Sequence, residues 1–317
     1  RFLNVFKGSF LQCRKVYNFP ILTEGGGPCC QQTNKQTNKQ TNKLPSLWTI
    51  FCCMFWWASC PLAFGAVDFD GADDYVSITS ASTFDFVATG TYTWSFWVNP
   101  DDFEEWNALW GQDDGTFGIF IYAHTTADTT WGPVTAGVTA GWWGVVGHSI
   151  VNSTDSVLTL NAWNHVVVTH DGALSLANRF VIYVNGVDVT DTGDSSSAGS
   201  LLVIDVASVR IGANICCAGE IMDGRIDDVR VYNRVLSAAE IEVIFRGRLK
   251  YDSLATPGNG LLGYWPLDDQ PDGTSGDGDT FVDRSGTGNN GTGDNGANNT
   301  GLTARASDYL MYPARVQ

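Results

Sequence analysis

Between Val67 and Tyr232 the chain alternates apolar and polar residues in short runs that are interrupted by Gly, Asp, Asn and Pro. A period of two residues is typical of β-strands, and the interrupting residues are those that form turns. No segment of this stretch has the periodicity and length of an amphipathic helix. The pattern therefore predicts an all-β domain in which about nine antiparallel strands form two packed sheets.

Some of these runs predict particular places in the sheets. Residues 94–98 and 165–169 carry apolar bulk at successive positions, which is typical of central strands that are covered on both faces. Residues 156–160 are also predicted to be a strand. Asn185-Gly186 predicts a type I′ hairpin turn, since both positions of that turn require positive φ.

One short helix is predicted after the β-rich stretch. Ser237 and Glu240 form a capping box, in which each side chain bonds a backbone amide that a helix start leaves open. The helix should begin there and end near Arg248. The predicted fold class is thus a two-sheet antiparallel β-sandwich with one short C-terminal helix.

Residues 44–65 contain no charged side chain and follow Lys43. This length and hydrophobicity predict a helix for the membrane or the translocon. It is either a secretory signal peptide cleaved after Gly65 or an uncleaved membrane anchor, and both alternatives place the following residues outside the cytosol. Residues 1–43 include a QTNK repeat and are predicted to be an unstructured leader, because a polar repeat cannot bury enough surface to fold. The protein is expected to be secreted or held at the cell surface.

The charge balance argues against a nucleic-acid partner. Residues 66–317 carry 33 acidic and 11 basic side chains, a net charge of −22, and their single lysine is Lys250. Binding to a phosphate backbone depends on Lys and Arg, so no nucleic-acid partner is expected. Most of the acidic residues are Asp, which favours turns, whereas Glu favours helices.

Five blocks of sequence occur in a recognisable order along the chain. They are VDFDGADDYV (67–76), YTWSFWV (92–98), WNHVVVTHDG (163–172), VIYVNG (181–186) and GRIDDVRVYNRVLS (224–237). In this order they resemble the laminin-G-like jelly-roll family of the concanavalin A-like lectin/glucanase superfamily. The resemblance covers about residues 66–249 and implies a jelly roll. That family includes sugar-binding modules, adhesion domains and accessory domains of enzymes, so the fold alone does not identify the ligand.

The tail, residues 250–317, contains the segment PGNGLLGYWPLD (257–268). This segment resembles the opening strand of the same family, which normally precedes the VDFDG block. Two arrangements fit. The tail begins a second, truncated module, which the sequence favours, or it folds back and supplies the missing edge strand beside residues 228–232.

The resemblance also implies a structural Ca²⁺ ion. Asp227 would be the side-chain ligand, with Asp70, Gly71 and Asp74 nearby, since Ca²⁺ prefers oxygen ligands from Asp side chains and backbone carbonyls. An Asx-turn network without an ion explains the same residues.

Catalytic motifs are lacking in the sequence. Related glucanases carry paired carboxylates in a Glu-x-Asp-x-(x)-Glu block on a strand, and this chain has no such block. It has no nucleophile elbow and no phosphate-binding loop. The protein is therefore expected not to be an enzyme.

Sugar binding requires an aromatic plane against the apolar face of the sugar ring, with polar groups that orient it. The candidates, all predicted to lie near loops, are Trp106, Trp110, Trp131, Trp142 and Trp143. Neighbours on a strand face opposite ways, so one of the last two should point inward and the other outward. Exposed rings along a groove would favour a lectin, whereas buried rings would favour a scaffold.

The expected function is a non-catalytic extracellular carbohydrate-binding or adhesion module whose partner is a glycan or an extracellular protein. Two alternatives remain at this point. One is a glycoside hydrolase or the accessory module of a carbohydrate-active enzyme, and the other is a structural scaffold for protein–protein adhesion.

Overall fold

The computed structural model describes residues 65–79, 81–103, 106–113, 117–126, 132–144, 147–191, 195–197, 203–204, 209–215, 220–246, 259–268, 276–295 and 303–306. All of them belong to one compact unit, residues 61–317. The predicted leader (1–43) and the predicted signal or anchor segment (44–65) lie outside the described residues, apart from Gly65. No helix within the described ranges has the length and hydrophobicity needed to cross a bilayer.

The described residues form antiparallel strands, one α-helix and two short 3-10 segments (Ala81–Phe84 and Leu176–Asn178). The strands are β1 (Gly65–Asp70), β2 (Asp74–Ile78), β3 (Phe86–Val87), β4 (Thr91–Pro100), β5 (Ala108–Asp113), β6 (Phe117–Thr126), β7 (Val134–Gly144), β8 (Gly147–Asn152), β9 (Asn164–Asp171), β10 (Phe180–Val184), β11 (Val187–Asp188), β12 (Ser195–Ser197), β13 (Val203–Ile204), β14 (Val209–Ile211), β15 (Asp223–Tyr232), β16 (Leu261–Trp265), β17 (Thr280–Phe281), β18 (Gly291–Asn295) and β19 (Thr303–Ala306). The helix is α1 (Ala238–Phe245).

The strands form two large sheets, as the alternating pattern predicts. The first sheet has the order β11-β10-β9-β4-β15-β1-β19, and β16 also pairs with β15. The second has the order β12-β8-β7-β6-β5-β14-β2-β18-β17, and β3 with β13 makes a separate two-stranded ribbon. Asn185 and Gly186 have φ of 52° and 79°, which confirms the predicted hairpin turn between β10 and β11.

The main core lies between the two sheets. On β4, alternation directs Trp94, Phe96 and Val98 into this core, which also contains Ile119 and Ile121 of β6. The other face of β4 is buried as well, as predicted for a central strand.

Helix α1 covers part of the outer face of the first sheet. Its buried residues Ile241 and Ile244 pack with Val167 and Tyr232. The predicted capping box is present: Ser237 N donates to Glu240 Oε2 at 2.8 Å, and Glu240 N donates to Ser237 Oγ at 3.4 Å. The helix begins as predicted but ends at Phe245, three residues before the predicted end.

Residues 156–160 form a turn, and the prediction of a strand there is wrong. Ser156 takes a left-handed conformation with φ of 60°, which a strand cannot continue. The Asn164 side chain bonds both the amide and the carbonyl of Thr159, so these backbone groups are satisfied without a neighbouring strand. Leu158 still points into the main core, which explains the apolar period in the sequence.

The described strands of the tail, β16 to β19, pair within the two sheets, which is the fold-back arrangement and not the second module that the sequence favours. Strand β16 pairs with residues 229–232 of β15, at the edge named for the fold-back arrangement. Strand β18 pairs with β2 in the second sheet. The side chain of Asp283 accepts bonds from the amides of Tyr264, Ser285 and Asn289, and it thereby joins β16 to the following loop.

A buried polar cluster fastens β16 to β15. Tyr264 Oη donates to Asp228 Oδ1 at 2.7 Å, and an Arg230 amino group lies 3.3 Å from the same oxygen. The Arg230 guanidinium also lies 4.3 Å from the centre of the Tyr264 ring. Because these partners are nearly excluded from water, losing one would leave the others buried and unsatisfied.

Candidate functional site

The outer face of the second sheet carries a row of residues from four neighbouring strands. His148 pairs with Trp143, Trp143 with Gly118, and Gly118 with Asp113. The Trp143 side chain is 43% exposed, and its ring stacks on the His148 ring with 5.0 Å between centroids. A Cβ added to Gly118 would lie 2.7 Å from Asp113 Oδ2. An aromatic plane and a carboxylate thus flank a position that has no side chain.

The candidate tryptophans that lie on strands differ in exposure: two are buried and one is exposed. Trp110 of β5 and Trp142 of β7 lie on strands and are buried in the core between the sheets, so they do not line an exposed groove. Their strands turn them inward, and core packing leaves no ring face for a ligand. The adjacent Trp143 points outward, as expected for consecutive strand residues. Trp131 lies outside the described residues.

Trp106 precedes β5 and is partly buried against the outer face of the second sheet. Its ring packs on Tyr122 and His124, with centroid distances of 5.3 and 5.1 Å. Burial lowers the pKa of His124 to about 4, so this imidazole is neutral at physiological pH. Trp106 therefore offers less ring surface to a ligand than Trp143 does.

A hydrogen-bonded trio, Tyr122, Asn214 and Glu220, is attached to the same face. Tyr122 Oη donates to Glu220 Oε2 at 2.6 Å, and Asn214 Nδ2 donates to Glu220 Oε2 and to Tyr122 Oη, both at 2.7 Å. Tyr122 is fully buried and Asn214 nearly so, whereas Glu220 is partly exposed. Burial, and then the Glu220 carboxylate, hold the pKa of Tyr122 well above its usual value, so its hydroxyl remains a donor. Sequence reasoning did not find this trio, because its members are distant in sequence and join only through the fold.

Three aspartates converge where β1 turns into β2. Carboxylate oxygens of Asp70, Asp73 and Asp74 all lie within 4.8 Å of one another. Asp70 N donates to Asp74 Oδ2 at 2.9 Å, and Ala72 N donates to Asp70 Oδ1 at 3.0 Å. One oxygen of Asp73 and one of Asp74 are buried without a hydrogen-bond partner. Carboxylates with unpartnered buried oxygens are a donor set suited to a hard cation such as Ca²⁺.

Asp227 does not belong to this cluster, and the ligand set implied by the resemblance is corrected on this point. In the register of β1 with β15, Asp70 lies opposite Asp223, and Asp227 lies four residues further along the strand. At about 3.3 Å per residue, Asp227 lies roughly 13 Å along β15 from Asp223, the residue opposite Asp70. Asp227 Oδ1 instead accepts a bond from the amide of Asp228. Asp70 and Asp74 do come together as predicted, Gly71 stands between them, and Asp73 joins them.

The buried carboxyl group of Asp74 should make the stability of the protein depend on pH in an unusual way. Burial, followed by the charges of Asp70 and Asp73, raises its pKa to about 7, although the bond from the Asp70 amide acts in the opposite direction. The folded state therefore binds a proton that the unfolded state releases between about pH 4 and 7, so this group lowers the free energy of unfolding as the pH rises through that window. Urea unfolding in the presence of chelator at several pH values measures the slope of the free energy of unfolding against pH. Asp74→Asn should make it less negative, and an unchanged slope would contradict the prediction.

The sandwich and its sheet order define a class of protein, the jelly rolls of the lectin and glucanase type. Residues 70–242 match the family Laminin_G_3, described as the Concanavalin A-like lectin/glucanases superfamily. The match covers more than half of the chain, and the protein belongs to this family. This confirms the resemblance noted in the sequence. No curated protein matches the sequence.

Solved structures are similar to this chain at low sequence identity. A protein of Bacteroides ovatus ATCC 8483, provisionally described as a carbohydrate binding protein, is 21% identical with a TM-score of 0.50, and the match covers 78% of this chain and 60% of that one. The heptameric SAP-like pentraxin of Limulus polyphemus is 14% identical with a TM-score of 0.39, covering 59% and 83%. Domain 4 of AbnA, a GH43 extracellular arabinanase of Geobacillus stearothermophilus solved with arabinotriose, is 16% identical with a TM-score of 0.35, covering 56% and 74%. The chain therefore spans less than two thirds of the Bacteroides protein.

Proposed function

We propose that this protein is a non-catalytic carbohydrate-binding module that takes a glycan on the outer face of its second sheet. The exposed Trp143 carries the proposal. Its ring is held in the sheet by stacking on His148, and its neighbour across the strands is Gly118, over which the Asp113 carboxylate lies. A ring fixed in this way stacks on a sugar without losing conformational freedom, and the carboxylate accepts bonds from sugar hydroxyls.

Trp143→Ala should weaken glycan binding by about thirtyfold or more, because truncating an aromatic anchor commonly costs about 2 kcal/mol. A glycan array with the full chain identifies a ligand, and isothermal titration calorimetry then compares the two proteins. Trp143 lies on the surface, so the melting temperature should change little.

Leu174→Ala is the matched control, since Leu174 is an exposed apolar residue at 47% and lies in a turn after β9. It should bind as the wild type does. If the wild-type chain binds no glycan, carbohydrate binding is refuted and the adhesion scaffold becomes the better proposal. Release of sugar from a bound oligosaccharide would instead indicate a glycoside hydrolase.

We also propose that Asp70, Asp73 and Asp74 hold a structural Ca²⁺ ion. Three carboxylate ligands leave room for backbone carbonyls and water among the roughly six to eight oxygens that Ca²⁺ takes. The ion would supply positive charge where β1 turns into β2 and keep the crowded carboxylates ionised. Its role would be to stabilise this turn, and it takes no part in a reaction.

An extracellular location is part of the same proposal. It is supported by the uncharged segment 44–65, which lies outside the described residues apart from Gly65 and would act as a signal peptide or a membrane anchor. Fractionation of cells that express the full chain distinguishes the outcomes: protein in the medium indicates cleavage, protein in the membrane fraction indicates anchoring, and protein in the cytosol contradicts the location.

A further inference from the structure

We infer that Glu220 selects the ligand on this face: its carboxylate accepts a hydrogen bond from a hydroxyl or amino group of a neutral or amino sugar, and it disfavours sugars that present a carboxylate there. The inference rests on the proposed function, which places a glycan on the outer face of the second sheet. It adds the chemical class of the ligand.

The two oxygens of Glu220 have different surroundings. Oε2 accepts from both Tyr122 Oη and Asn214 Nδ2. Oε1 has no hydrogen-bond partner within the described part of the chain, and Glu220 is partly exposed. One oxygen is therefore committed to the protein, and the other is left as an acceptor on a partly exposed side chain.

The carboxylate is also fixed in position before a ligand arrives. The backbone N–H of Asn214 donates to the backbone carbonyl of Glu220 at 2.9 Å. The side-chain Oδ1 of Asn214 accepts from the backbone N–H of Ile215 at 2.8 Å. These bonds hold the Asn214 side chain in the orientation in which it donates to Glu220. Tyr122 is fully buried and stays protonated, so it remains a donor. An acceptor held in this way binds a donor with little loss of side-chain entropy.

The charges on this face set the preference. Asp113 lies on the same face of the second sheet, and its charge adds to that of Glu220 in raising the pKa of Tyr122. Arg210 is close by, with a guanidinium nitrogen 3.4 Å from the carbonyl oxygen of Asn214, but its charge lies 4.0 Å over the Tyr75 ring. A second carboxylate brought against Glu220 would meet a like charge and an oxygen that cannot donate.

The test measures specificity as well as affinity. The full chain is titrated with the best neutral glycan from the array and with the same glycan oxidised at C6 to a uronate. The wild type should prefer the neutral form. Glu220→Gln removes the charge and presents an amide, so it should weaken neutral-glycan binding about tenfold and reduce the preference over the uronate by a similar factor.

Tyr122→Phe keeps the ring and removes one donor, so it tests positioning. Binding of the neutral glycan should weaken about threefold to tenfold, and the preference over the uronate should remain. Glu242→Gln is the matched control, because Glu242 is a surface residue of α1 paired with Arg246 and is not on this face. It should leave affinity and preference unchanged. Melting curves identify any variant whose fold is damaged.

The outcomes separate the inference from the proposed function. If Trp143→Ala abolishes binding while Glu220→Gln binds both glycans as the wild type does, glycan binding stands and the role of Glu220 is overturned. If the wild type prefers the uronate, the selection is overturned as well. If the wild type binds no glycan, both proposals fail together.

Discussion

Trp265→Ala is expected to lower the free energy of unfolding by about 3–5 kcal/mol, the usual cost of truncating a buried tryptophan. Trp265 lies on β16 in the tail and is completely buried. Its ring centre is 5.8 Å from that of Phe84 and 6.3 Å from that of Trp110, and its Nε1 donates to the carbonyl of Asn289 at 2.8 Å. The substitution leaves a cavity in the main core and an unpaired carbonyl.

Denaturant unfolding followed by tryptophan fluorescence and circular dichroism measures this loss. Trp143→Ala is the control, since the same substitution at an exposed site should change the free energy of unfolding by less than about 1 kcal/mol. If both variants were equally stable, the tail would not belong to the sandwich. The tail would then have to be a separate module, as the sequence favours.

Removal of Ca²⁺ is expected to lower stability by about 3 kcal/mol when the ion had been present at a hundred times its dissociation constant. The ion would offset the repulsion among Asp70, Asp73 and Asp74, so the chelated protein should melt at a lower temperature. Differential scanning calorimetry in calcium and in chelator measures the shift. Full recovery of the melting temperature on adding calcium back excludes irreversible damage.

Asp74→Asn separates the calcium site from a turn network without an ion. With a calcium site, the variant should lose most of the response to chelator. Without one, chelator should have no effect, and the variant should be more stable than the wild type near pH 8, because it removes a buried charge. Asp188→Asn is the control, since Asp188 forms an Asx turn in the β10–β11 hairpin away from the cluster.

Local patterns predicted the parts of the fold that depend on neighbouring residues. The period of two residues, the Asn185-Gly186 turn and the capping box at Ser237 are all present in the structure. The strand predicted at 156–160 is absent, because the left-handed Ser156 and the side chain of Asn164 replace strand pairing there. A local pattern cannot reveal bonds made by a side chain elsewhere in the chain.

The candidate site was predicted less completely. The exposed position of Trp143 follows from strand alternation once Trp142 is known to point inward. Trp110 was an equal candidate in the sequence but lies in the core, because its exposure depends on which face of its sheet it occupies. The links among Tyr122, Asn214 and Glu220 span up to 98 residues, and nothing near any one of them indicates the others.

The sequence by itself determined the β-class of this protein, its family, the start of its helix and the convergence of Asp70 with Asp74, because each depends on short-range spacing or on ordered sequence blocks. Only the tertiary structure decided that the tail completes the sandwich, that Asp223 rather than Asp227 lies opposite Asp70, and which tryptophan reaches the surface. These features depend on strand register and on burial against distant segments. Register and burial are settled when the two sheets pack, since a shift of one residue would turn every side chain of a strand to the other face.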